Sequence, residues 1–238
     1  MRIDVWSDIV CPWCYVGEAR LANAIAAFPQ RAEVEVVFRS FELDPTWTGT
    51  EPVLDMLATK YGMTTAQAAE AEERVAGLAR AEGLPYKSGR LRGNSFDAHR
   101  LIHLAADRGL GRRLVDLLFR SHFGQAASVF EADELLAFAV EAGLDRAEAK
   151  AVLEGDDYAD EVRADEAAAH QLGVRGVPFF VFDGAFAVSG AQSAEVFTQA
   201  LTKAWDEREV AEVVELAVPA PDPDVEVCEI PSRETAAD

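Results

Sequence analysis

The chain has 238 residues, with 22 Lys and Arg against 42 Asp and Glu, a net charge of −20 and a pI near 4.5. That charge repels nucleic acid and anionic membrane surfaces, so neither is expected as a partner. Half of the residues are hydrophobic, which supports a large core in one domain with an insertion or in two small domains.

Residues 2–7, with Ile3, Val5 and Trp6 apolar, read as a first strand. Cys11-Pro12-Trp13-Cys14 follows, and then Leu21, Ala24, Ile25 and Phe28 recur at helical spacing until Pro29. Glu33 to Leu43 alternates and is rich in Val and Phe, which reads as a second strand. The opening is therefore a βαβ unit, a parallel pair with a right-handed crossover. Residues 45–172 differ, being Ala-, Leu- and Glu-rich with Gly or Asx punctuation. They read as six or seven helices, most clearly Thr65–Ala81, Ser95–Asp107 and Asp133–Ala142, and a block of that length must pack as a subdomain. Phe179-Phe180-Val181-Phe182 has the composition of a buried strand. Asp183-Gly184 signals a hairpin turn, and Ala185 to Val188 is its return strand. Ser193 can cap a last helix through Phe197, Leu201 and Trp205. From Val218 the chain is acidic and Pro-rich, and reads as a mobile tail. There is no internal repeat and no apolar run near the ~18 residues of a membrane span. The order is β-α-β, helical block, β-β-α. The division expected is 1–44 with 173–212 as a sheet-and-helix domain, 45–172 as an inserted helical subdomain, and 213–238 as a tail.

Three cysteines, Cys11, Cys14 and Cys228, do not make a disulfide framework. No apolar signal region precedes the first pair, so the expectation is a soluble cytoplasmic protein. A lone C-x-x-C also occurs in zinc sites, but those need two further ligands, and no second pair is present. No metal or cofactor is expected. The pair follows a strand and opens a helix, where free N–H groups stabilise a thiolate on Cys11. Pro12 suits the first helical position, whose N–H is not needed. Cys14 lies one turn along the same face, within disulfide reach. Cys11 would attack a substrate disulfide and Cys14 would resolve the mixed disulfide. The alternative is a pair of small buried hydrophobes. Val177-Pro178, after Gly176, is either an ordinary strand start or a cis-proline set beside the dithiol.

Asp8-Ile9-Val10-Cys11-Pro12-Trp13-Cys14, the helical insertion and Gly173-Val174-Arg175-Gly176-Val177-Pro178-Phe179-Phe180 resemble the DsbA-like thioredoxin-fold family. Arg39 to Leu43, Asn94 to Arg100 and Ser189 to Gln192 add a resemblance to its FrnE-type dithiol-disulfide isomerase subgroup. The resemblance spans residues 1–210. It implies an α/β thioredoxin-like fold with a large all-helical insertion, Cys11 as nucleophile, Cys14 as resolving thiol, and a cis Pro178. Val177 would offer backbone hydrogen bonds to an extended substrate, and Pro12 and Trp13 would line its site. Protein or peptide thiols and disulfides would be the partners, with glutathione a further candidate and a homodimer left open. Such relatives often carry a buried carboxylate six residues before the first cysteine. Val5 stands there, which leaves the Cys14 proton to water or Asp8.

Other candidates have plainer readings. His99, His103 and Asp107 share a helix face, but Arg100 stands where a zincin motif needs Glu, so packing and hydrogen bonding are expected. Asn94 reads as a helix cap, Phe179, Phe180 and Phe182 as core, Trp13 as partly exposed beside substrate, and Cys228 as a free thiol in the tail. Two other functions stay open on the same fold. One is a glutathione-dependent transferase or isomerase of the kappa-class or hydroxychromene-carboxylate isomerase type, whose members carry Ser where Cys11 stands. The other is a non-catalytic binding module.

Overall fold

The computed structural model describes residues 1–217, and side-chain surroundings for residues 1–208. The expected tail beyond Ala217, including Cys228, lies outside the described residues. The chain begins with β1 (Arg2–Ser7), α1 (Pro12–Ala27), a 3₁₀ turn at Arg31–Glu33 and β2 (Glu35–Ser40). It continues with β3 (Glu51–Pro52), α2 (Val53–Tyr61), α3 (Thr65–Ala81), β4 (Leu91–Arg92), α4 (Phe96–Asp107) and α5 (Gly111–Phe119). After a π-helical turn at Arg120–Gln125 come α6 (Ala132–Ala142), α7 (Arg146–Glu154) and α8 (Ala159–Gln171). β5 (Phe179–Phe182), β6 (Phe186–Ser189) and α9 (Ala194–Ala217) complete it. The main sheet has the order β2-β1-β5-β6. β1 runs parallel to β2 and antiparallel to β5. This is a thioredoxin-like α/β fold, and the seven α-helices α2 to α8 fall between β2 and β5.

Strand alternation puts Ile3 and Val5 on one face of β1, where they pack with Phe180 and Phe182. Leu21, Ala24 and Phe28 of α1 and Phe197, Leu201 and Ala204 of α9 cover that face. Each fully buried Phe or Leu there contributes about 1.5–3 kcal/mol. Trp6 points to the other face, packs with Phe41, Ala169 and Val174, and donates its indole N–H to the Asp165 carbonyl at 2.8 Å. Asp165 in turn accepts the Ser40 N–H at 2.9 Å and lies 3.2 Å from His103, which fastens α8 to β2.

In the helical block, α3 starts on a capping box. Thr64 Oγ1 accepts the Gln67 N–H and Gln67 Oε1 accepts the Thr64 N–H, at 3.2 and 2.9 Å. The π-helical turn buries His122 and Phe123. Phe123 stacks on Tyr15 of α1, with ring centroids 4.9 Å apart. The helical block therefore shares its core with α1, and Cys11 and Cys14 belong to that shared cluster.

The second strand is shorter than its composition suggests. Phe41 leaves the ladder to pack below it, and the 3₁₀ turn takes up Glu33. The return strand starts at Phe186, since Asp183 and Gly184 take φ of 46° and 70° and the Ala185 N–H bonds back to Phe182. The β3–β4 ladder was not expected. It pairs only Glu51 with Arg92 and Pro52 with Leu91, and ion pairs from Arg92 to Glu51 and Asp44, at 2.6 and 3.0 Å, hold it rather than a hydrophobic alternation. α9 continues past residue 212 to Ala217.

Candidate active site

The site forms where β1 ends and α1 begins. Cys11 is the N-cap of α1, with extended backbone angles, and Pro12 occupies the first turn. The helix has no side-chain cap and no acidic residue in that turn. No capping side chain therefore claims the N–H groups of the first turn. The Cys14 and Tyr15 N–H groups donate to the Cys11 carbonyl at 3.0 and 3.3 Å, and the Cys11 N–H donates to the Asp8 carbonyl at 3.0 Å. Both thiols are free and buried.

Burial pushes the Cys14 thiol well above its ordinary value, and hydrogen bonding to Cys11 and its charge add to the rise. Hydrogen bonds from the Ser7 side chain and the Asp8 backbone act in the opposite direction. The Val177–Pro178 peptide is cis. The Val177 carbonyl lies 3.6 Å from Cys11 Sγ, which donates to it. Gly17 makes room for this loop: a Cβ there would stand 3.0 Å from Pro178 Cγ.

Cys11, Pro12, Trp13 and Val177 open on a cleft of about 300 Å³, whose other wall includes Val53, Met56, Leu57, Tyr61 and Leu91. Trp13 is 44% exposed at its mouth, with Leu43, Tyr61 and Leu91 also exposed. Pro178 lies one residue back, lining a smaller hollow with Gly173 to Val177. The open hollow beside Met1, Arg2 and Phe186 lies at the other end of the sheet and holds neither thiol.

Sequence reasoning missed the polar floor of the cleft. Arg90, which is 1% exposed, meets Glu72 Oε1 and Oε2 at 3.0 and 2.9 Å and donates to the Tyr86 hydroxyl at 2.6 Å. It also lies 3.3 Å from His122 Nε2. Arg90 can only donate, so His122 accepts through Nε2, leaving Nδ1–H for the Ala127 carbonyl at 3.4 Å. Burial, with the Arg90 charge, lowers His122 to about 3. No motif announces this cluster, although a Gly89-Arg90-Leu91-Arg92-Gly93 stretch is an unusual place for a buried cation.

The histidine face of α4 is not brought together as ligands. His103 meets Ser40 and Asp165, Asp107 accepts from Tyr158, and His99 faces Asp8. Among the described residues no group of three His, Cys, Asp or Glu side chains could hold a metal ion. Asn94 Oδ1 accepts the Phe96 N–H at 2.9 Å, capping α4 from just before Ser95. Val5 is buried against the sheet core, and Asp4 on the opposite face pairs with Arg2 and Arg39.

Residues 2–202 match the family model of the DSBA-like thioredoxin domain. This chain belongs to the DsbA-like thioredoxin family. A probable DsbA oxidoreductase from Streptomyces coelicolor is 52% identical, over 96% of each chain, with a TM-score of 0.84. The uncharacterized protein YwbO of Bacillus subtilis is 29% identical over 206 residues, 85% of this chain and 96% of its own. The fold is also that of the cytosolic disulfide reductase DsbM from Pseudomonas aeruginosa, solved with GSH, at 17% identity and a TM-score of 0.58 over 92% of this chain and 100% of that one. As a DsbA-like protein with two free thiols at a helix start, the chain is a thiol-disulfide oxidoreductase. Among the described residues no helix is long and apolar enough to cross a membrane.

Proposed function

We propose that Cys11 attacks the disulfide of a protein or peptide and that Cys14 resolves the mixed disulfide. The observation that carries this reading is the asymmetry of the pair. Cys11 lines the cleft, under the Val177 carbonyl, whereas Cys14 is sealed in the core with its thiol held protonated by burial. A nucleophile must meet substrate, and a resolving thiol must meet only Cys11. Val177 offers its backbone to an extended substrate segment, Pro178 shapes that edge, and Pro12 and Trp13 form the near wall. Glutathione is the small-thiol partner in this reading, in line with the GSH bound by DsbM. FrnE-type isomerisation in the cytoplasm is the finer assignment. Residues 1–44 with 173–212 are taken as the catalytic domain and 45–172 as its helical insertion, because all four strands of the main sheet come from the former. The intact Cys14 argues against the glutathione-transferase alternative, which needs one nucleophilic position.

Trapping tests the roles. With a disulfide-containing peptide, Cys14→Ser should accumulate a mixed disulfide on residue 11, and Cys11→Ser should abolish exchange. Full exchange by Cys11→Ser, or a trapped adduct on Cys14 in the unsubstituted chain, would overturn the assignment.

A further inference from the structure

Resolution requires that Cys14 lose its proton, and β1 carries no carboxylate behind the dithiol because Val5 fills that place in the apolar core. Asp8 instead lines the same cleft as Cys11, and Asp8 and His99 are buried, at 1% and 3% exposure. Asp8 Oδ1 lies 3.6 Å from His99 Nε2. That nitrogen has no hydrogen-bond partner among the described residues, and a buried orphan in a native fold calls for an explanation.

The Asp8 carboxylate is itself well anchored. Oδ2 accepts the Leu43 N–H at 2.8 Å and Oδ1 accepts the Val10 N–H at 3.3 Å. Asp8 is also tied to both cysteines through its backbone, accepting from the Cys11 N–H at 3.0 Å and hydrogen bonding to the Cys14 thiol. Its side chain lines the same cleft as Cys11.

We propose that Asp8 is the proton carrier of the resolving step, with His99 as the residue that positions it. This rests on the roles assigned above to Cys11 and Cys14. In the mixed disulfide Cys11–S–S–R, the Cys14 thiol gives its proton to the Asp8 carboxylate, directly or across one water. The Cys14 sulfur then bonds to Cys11 Sγ. The Cys11–SR bond breaks, its electron pair leaves on RS⁻, and Asp8 returns the proton to it as RSH. The dithiol is oxidised, the substrate sulfur is reduced, and Asp8 ends as it began. His99 closes on Asp8 while the carboxyl changes state, and a separation slightly beyond hydrogen-bond length is usual for catalytic contacts in unliganded sites.

Other charged groups surround the pair. His122 feels the Asp8 charge from the π-helical turn, and Arg90 stands behind His122. Glu42 feels His99 from the segment after β2, and its carboxylate is held by Arg163 and Asn94. Cys11 lines the cleft with Asp8, and Cys14 hydrogen bonds to the Asp8 backbone.

The test follows a single turnover of the full chain, carrying Cys228→Ser so that only the pair reacts, with oxidised glutathione between pH 5 and 9. Acid quenching, alkylation and intact mass separate the Cys11–glutathione adduct from the Cys11–Cys14 disulfide. His99→Gln should slow resolution about tenfold near neutral pH, and Asp8→Asn about a hundredfold. Formation of the adduct should change less than threefold, and resolution should recover as hydroxide takes over the proton at high pH. Asp8→Glu should restore part of the rate. Resolution at the original rate and pH dependence in folded His99→Gln overturns the proposal, as does an equal fall of both steps at every pH. If Asp8→Asn does not fold, His99→Gln and Asp8→Glu decide. If the unsubstituted chain never forms the Cys11 adduct, the dithiol roles themselves fall, and this inference with them.

Discussion

The buried Arg90–Glu72 pair gives a stability prediction that its geometry makes large. Glu72→Gln keeps the side chain's shape but turns one carboxylate oxygen, 3.0 or 2.9 Å from Arg90 Nη2, into an NH₂ that faces another donor. The guanidinium then keeps one amide oxygen, the Tyr86 hydroxyl and the His122 ring as neutral partners but loses its only counter-charge in that contact, and its Nε is already without a partner. At 1% exposure Arg90 has no water to turn to. Removing one partner of such a pair costs about 3–5 kcal/mol, a large share of the ~5–15 kcal/mol that holds a typical domain. With a urea slope of about 2–3 kcal/mol/M, the unfolding midpoint read by far-UV circular dichroism should drop by roughly 1–2 M. Glu148→Gln is the matched control. It pairs with Arg108 at 2.8 Å, but both side chains are nearly half exposed, so water replaces the lost contact and the urea midpoint should barely move. The double change Glu72→Leu with Arg90→Met should recover most of the loss, since no unpaired charge is left buried. A Glu72→Gln shift no larger than that of Glu148→Gln would refute the reasoning.

Two further outcomes follow from close packing and from pKa. Gly17→Ala should slow Cys11 adduct formation several-fold, because its Cβ would press Pro178 and Ala191 at 3.0 and 3.3 Å. Gly77→Ala on α3, with open space around it, should leave the rate unchanged and add about 1 kcal/mol of helix stability; equal rates for both variants would count against the packing argument. Burial raises Glu18 to about 8, so the folded chain holds a proton there that the unfolded chain has lost above about pH 4.5, and stability from this group falls as pH rises toward 8. His122, lowered to about 3, works the other way, since the unfolded chain binds a proton below about pH 6.5 that the folded one refuses. The two slopes oppose each other below that pH, so Glu18 should stand out between about pH 6.5 and 8, where Glu18→Gln flattens the decline in urea midpoint. An unchanged slope in Glu18→Gln would contradict that assignment.

The thioredoxin elements were legible because each carries a local signal. β1 alternates, Pro12 marks a helix start, and Asp183-Gly184 marks a turn. The dithiol was legible for the same reason, as its two thiols lie on one turn of one helix. The walls of the cleft were not. Glu72 sits among Glu and Ala on α3, and its partner Arg90 is in a Gly-rich loop. Nothing local says that these meet, and the β3–β4 ladder is too short to show a period. His99 lay between the two cases. Its spacing with His103 and Asp107 drew attention to a shared helix face, but the group that matters to it, Asp8, comes from the loop before α1.

The thiols share a hydrophobic cluster with α4 to α7, whereas the sheet core lies apart from them. A substitution in Leu101, Phe119 or Phe123 therefore reaches the sulfur environment through side-chain packing without altering one atom of Cys11-Pro12-Trp13-Cys14. The Cys-Pro-Trp-Cys motif and the sheet can stay constant while the helices behind the cysteines drift, and the surroundings of the thiols drift with them. Two proteins with the same four-residue motif on the same sheet can thus differ in redox behaviour, and the cause is to be sought in their helical insertions.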